Sequence, residues 1–179
     1  MLGGQHEQLR NPLPPEIGMD EQLQNIGPVL LIGRRFAPEV VVIQSGADGL
    51  EDDPMSKLAL SNGALWRAVD RLRTLAPRAL VLGGGGYNPW AVARCWAGIW
   101  ATLTGIEIPD RLPPAAQRLL RAVEWRHSLA RTPPERWFTT LIDPPNAGPV
   151  RGEIAAVAAT ALGTVKAAVL VRGLEHRRA

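Results

Sequence analysis

The sequence predicts an α/β domain built on parallel strands, and three observations predict it. Val40-Val41-Val42-Ile43 is a β-branched run of the kind found in strands buried on both faces. Ala79-Leu80-Val81-Leu82 is a second apolar run, closed by four consecutive glycines. Both runs lie between segments of helical pattern, and the order helix–strand–helix–strand–helix implies parallel strands joined by crossovers.

Each element has its own signal. Residues 1–20 are poor in order-forming pattern, with Gly3-Gly4 and Asn11-Pro12-Leu13-Pro14-Pro15, and 1–10 form an irregular lead-in. Asp20-Glu21 opens a helix to about Gly33, with Leu23, Ile26, Leu30 and Leu31 inward and Pro28 as a kink. The first strand covers Glu39 to Gln44 and stops at Ser45-Gly46-Ala47-Asp48-Gly49. A polar loop containing Asp52-Asp53-Pro54 leads to a helix from about Gly63 to Leu75. Pro77 separates that helix from the strand at 79–82. Asn88 is placed to cap, and Pro89 to begin, an apolar helix running to Thr104. From 105 to 179 prolines recur, so helices over 115–130 and 152–171 are expected, joined by extended connections.

Composition narrows the function. The chain has 179 residues, 46% hydrophobic and 21% charged, enough for one domain with a core. Its net charge is +3, with the 18 arginines and 2 lysines scattered, so no nucleic-acid stripe is expected. The single cysteine, Cys95, excludes an internal disulfide and a thiolate zinc site. In an apolar helix it reads as a small buried hydrophobe. Ile154 to Val171 is apolar but Ala-rich and broken by Lys166, which suits a packed helix and not a membrane span. Without a basic segment preceding an apolar one at the N-terminus, the cytoplasm is the expected location.

Ligands of open parallel sheets sit beyond the carboxyl ends of the strands. Asp48 and Tyr87 each follow such an end. An aspartate there can bind a cation, and a phenol can donate to a developing oxyanion. The same residues also suit a turn aspartate and a half-buried wall tyrosine, and spacing leaves both readings open. Gly83–Gly86 lacks the Lys-Ser/Thr ending of a phosphate-binding loop, so a nucleotide cradle is disfavoured.

Ser45-Gly-Ala-Asp48-Gly-Leu with Asp53-Pro54-Met55, and Gly83-Gly-Gly-Gly-Tyr87-Asn-Pro with Val92-Ala93-Arg94-Cys95-Trp96, resemble the second half of the zinc-dependent histone deacetylase-like amidohydrolases. The interval from Asp48 to Tyr87 fits that family without a gap. Ile108-Pro-Asp-Arg-Leu-Pro113 and Pro149-Val-Arg-Gly-Glu-Ile154 resemble its bacterial acetoin-utilisation branch. The resemblance covers roughly residues 10–170. It implies a three-layer arginase/deacetylase-like fold, present as an incomplete domain, with the whole chain (1–179) as the C-terminal part.

The resemblance also implies roles. Asp48 matches one of the zinc-binding aspartates, and Tyr87 the tyrosine that polarises the substrate carbonyl. Met55 and Gly85 match positions lining an acyl-lysine tunnel. The substrate implied is acetyl-lysine in proteins or a small acetylamide, and iron suits the intact site as well as zinc. The family's Asp-x-His metal pair and His-His dyad have no counterpart among His6, His127 and His176, which read as surface residues, His127 on a basic helix. One carboxylate does not make a zinc site. The chain alone is therefore expected to be inactive, either a truncated deacetylase or a non-catalytic remnant that pairs with a complementary N-terminal half. Sheet surface normally covered by that half is expected to lie bare. Pro54 and Trp90 stand where family members that bind inositol phosphate carry basic residues, which argues against that partner.

Overall fold

The computed structural model describes residues 19–56, 58–144 and, between 152 and 164, all but 154 and 158. Helix α1 covers Met19–Phe36, strand β1 Val40–Gln44, helix α2 Asn62–Arg73, strand β2 Arg78–Leu82 and helix α3 Pro89–Thr104. A short helix α4 at Pro114–Arg121, a 3-10 turn at Ser128–Arg131 and one helical turn, α5, at Arg136–Thr139 follow. β1 and β2 pair in parallel, Val40 opposite Arg78 and Gln44 opposite Leu82.

Helices α2 and α3 pack on one face of this two-stranded sheet. Ile43 joins Ala47, Leu50, Trp66, Val69, Ala91, Cys95 and Ile99 in the main core, with Val41 and Val81 against it. Gly98 brings α3 close to α2, because a side chain there would run into the Trp66 indole. The Trp66 indole N–H in turn donates to the Cys95 carbonyl at 3.0 Å. α1 meets the end of α2, with Gly33 under Leu75.

The other face lies bare, as expected of a sheet without its full cover, so the β-branched run of β1 is not buried on both sides here. Val40 and Val42 are 50% and 59% exposed, and Leu80 and Leu82 are 51% and 44% exposed. Side chains alternate across a strand, so these four share one side. Among the described residues nothing covers it. A β-branched run reports a strand meant for two covered faces; it says nothing of where the second cover comes from.

Helix α3 begins and ends where expected. The Asn88 side chain accepts from the N–H groups of Trp90 and Ala91, Pro89 takes the first turn, and Gly105 closes the helix at φ 70°. α1 runs three residues past Gly33, with Pro28 buried inside it. The helix expected over 115–130 is broken. α4 stops at Arg121, and Trp125 turns in to meet the Trp90 ring edge-on at 5.8 Å. His127 therefore lies outside any basic helix. It caps the 3-10 turn, its Nδ1 accepting from Leu129 N–H at 3.2 Å, and stacks on Trp125. The described residues between 152 and 164 are helical; the rest of the predicted 152–171 helix, His6, His176 and the 1–10 lead-in lie outside the described residues.

Candidate functional site at the strand ends

The loops leaving β1 and β2 are laced together by their backbones. Ser45 N–H donates to Leu82 O at 2.9 Å, and Ala47 N–H donates to Gly85 O at 2.7 Å. The glycines permit this approach. A side chain on Gly84 would lie 2.8 Å from the Gly46 backbone, and one on Gly85 would run into the Asp48 carboxylate. Asp48 thus lies against the residue two before Tyr87, with both side chains exposed to solvent. Tyr87 itself is 56% exposed.

A buried carboxylate joins Met55 to this group. Asp53, 4% exposed, accepts from Met55 N–H at 2.9 Å on Oδ1, and from Tyr87 N–H at 2.6 Å and Asn88 N–H at 3.3 Å on Oδ2. The Met55 side chain points outward and is 62% exposed. Asp48, Met55, Gly85 and Tyr87 therefore lie on two adjacent, hydrogen-bonded loops at the carboxyl ends of two paired strands.

The neighbouring Asp52 faces the opposite way. Its carboxylate accepts from Arg136 at 2.5 Å and from the Trp137 indole at 2.7 Å, and Arg94 lies 3.7 Å away. Burial, the largest influence, pushes the Asp52 carboxyl above the usual carboxylate range against the pull of Arg136. Arg94, 1% exposed, holds the Asp143 carboxylate at 2.5 Å and the Thr140 carbonyl at 2.7 Å, pinning the 140–143 segment to α3. Trp90 is structural, stacked on Trp137 at 5.4 Å and donating to Leu120 O at 2.8 Å.

Neither Asp53 nor Arg94 was assigned a role from sequence. Arg94 had a visible signal, since it is the lone charge in an otherwise apolar helix. Asp53 belongs to the Asp53-Pro54-Met55 motif, but its residue type alone does not separate its role from those of Glu51 and Asp52. The cavity of about 710 Å³ between α3, β2 and the end of α2 is lined by residues such as Val81, Trp96 and Trp100 and includes none of the candidate residues.

The donor set does not fit a complete metal site. Among the described residues no group of three His, Cys, Asp or Glu side chains could hold a metal ion. Asp48 offers one carboxylate, whereas catalytic zinc normally takes three protein ligands. No helix among the described residues is long and apolar enough to cross a membrane.

Comparison with known proteins bears on the family and the fold. The model of the histone deacetylase domain matches residues 2–103. The chain is 40% identical over 82 residues to putative histone deacetylase 2 of Caenorhabditis elegans, covering 46% of this chain and 16% of that protein. It is 32% identical over 109 residues to the acetoin utilization protein AcuC of Bacillus subtilis, covering 57% of this chain and 27% of AcuC. The crystal structure of an HDAC homolog from Aquifex aeolicus superposes with a TM-score of 0.74 at 35% identity, covering 84% of this chain and 41% of that one. The chain thus spans less than half the length of these relatives, from 16% to 41%.

Proposed function

The chain belongs to the histone deacetylase family, and from that premise we propose that it is the C-terminal part of a zinc-dependent deacetylase hydrolysing an acetyl-lysine-type amide in the cytoplasm. Asp48 supplies one metal ligand, and Tyr87 donates its phenol to the substrate carbonyl and to the oxyanion that forms from it. Met55 and Gly85 border the path of the acyl chain. The remaining ligands and the general base come from the rest of the domain. One observation carries this reading: Asp48 packs against Gly85, so a potential ligand and a potential oxyanion donor share the carboxyl edge of one sheet. An acetylated protein lysine and a small acetylamide both suit such a site.

The test has two arms. The 179-residue chain alone should neither retain zinc through dialysis nor release acetate from an acetyl-lysine peptide; stoichiometric, tightly held zinc with turnover would overturn the incomplete-site reading. In the domain completed by its N-terminal half, Tyr87→Phe should lower kcat about 10²–10³-fold with zinc retained, the usual effect of removing one oxyanion donor. Unchanged turnover would remove Tyr87 from the chemistry.

A second reading is favoured by the bare sheet face of Val40, Val42, Leu80 and Leu82. It makes the chain a non-catalytic half whose role is to pair with a complementary N-terminal segment. Pairing without acetate release would select it over the first.

A further inference from the structure

Asp53 is a buried carboxylate that spends its hydrogen-bonding capacity on backbone. Its two oxygens take three N–H groups from two different loops: Met55 on its own, Tyr87 and Asn88 on the other. Among the described residues no cation lies in salt-bridge range of it. A buried charge without a counter-ion is costly unless such donors satisfy it. Two of the three donors sit at the start of α3, where the helix dipole adds attraction for a negative charge. The Pro54 ring fixes the backbone between Asp53 and Met55, so the link is short and stiff.

The geometry points to Asp53 as the positioning residue of the site, holding Tyr87 in register with the loop that carries Asp48 and Met55. This rests on the reading of Tyr87 as the carbonyl-polarising donor. Among the described residues nothing hydrogen-bonds the Tyr87 phenol, and the residue is more than half exposed, so its placement comes through its backbone. Oxyanion donors act through pre-set position, and small displacements cost rate steeply. Asp53 touches no reacting atom; it acts through Tyr87.

The isosteric Asp53→Asn is the decisive variant, because an amide has one accepting oxygen where the carboxylate has two. In the 179-residue chain, amide hydrogen exchange should accelerate roughly ten- to hundredfold at Met55, or at Tyr87 and Asn88, as expected for loss of a charge-assisted bond. Helix amides such as Val69 should keep their protection. Equal acceleration throughout, or none at Met55, Tyr87 and Asn88, overturns the proposal. Should Asp53→Asn fail to fold, Asp53→Glu keeps the charge while moving it by one methylene, and the same local pattern is expected.

The completed deacetylase domain adds a kinetic readout. Asp53→Asn should lower kcat with KM and zinc content held, and combining it with Tyr87→Phe should be no slower than Tyr87→Phe alone. Losses that multiply would assign Asp53 a role independent of Tyr87. A Tyr87→Phe enzyme with full turnover would instead sink the premise about Tyr87, while the exchange pattern still judges the anchoring by itself.

Discussion

Gly85 sets how near the two loops come, and the cost of replacing it is steric. A methyl group there meets the Asp48 carboxylate, backed by the Ala47–Gly85 hydrogen bond that holds the loops together. Gly85→Ala should destabilise the chain by about 1–3 kcal/mol, the usual range for overpacking. Urea unfolding measures it, and Gly63→Ala, whose added methyl meets only the far end of the Arg67 side chain at 3.4 Å, is the control. Cys95 gives a second residue-scale test. It is fully buried, and burial pushes its thiol up to about 12, with the Asp143 charge adding and Arg94 opposing. The unfolded chain releases that proton near pH ~8.5. The folded pKa is the higher one, so the thiol's contribution is complete below the unfolded value and is lost as pH rises toward the folded value. Stability should fall by up to about 1.4 kcal/mol per pH unit across that window. Cys95→Ala should flatten this part of the curve in urea melts at stepped pH; an unchanged slope would acquit the thiol.

Helix α3 is the element on which the site hangs, and its N-cap joins helix to loop. The Asn88 oxygen caps the helix while its Nδ2 donates to the Asp52 carbonyl at 2.8 Å. Asn88→Ala removes both, so the cost should exceed the ~1 kcal/mol of a lost cap and reach about 2–4 kcal/mol with the Asp52 carbonyl left unpaired. Asn88→Asp keeps the cap but loses the donor, and thermal unfolding should place it between Ala and the parent. Both ends of α3 were legible in the sequence because Asn88-Pro89 is a local start signal and the apolar pattern stops at Thr104. The break after Arg121 was not, because it depends on Trp125 packing edge-on against Trp90. Propensity over 115–130 contains no trace of that distant contact.

At the scale of the molecule, what the sequence disclosed was the part fixed by strand order. Two neighbouring parallel strands bring their following loops together, so the loops that carry Asp48 and Tyr87 had to lie side by side. What stayed hidden was which acidic residue of the Glu51–Asp53 turn faces inward, since that follows from turn geometry and not from residue type. The bare sheet face is the molecular consequence of an α/β sheet with helices packed on one side. Parallel sheets are normally covered on both faces, and exposed contiguous apolar surface drives association. β1 and β2, paired only with each other among the described residues, also keep unpaired outer edges. The chain alone should therefore self-associate with rising concentration. Val42→Thr with Leu80→Thr, two exposed positions on that face, should shift sedimentation velocity toward the monomer while leaving the α2–α3 core intact. The same pair should weaken capture of a complementary N-terminal half, because both processes draw on one surface. A variant that stays as associated as its parent would place the sticky surface elsewhere, with the exposed Val29, Ile32 and Phe36 of α1 next to be tested.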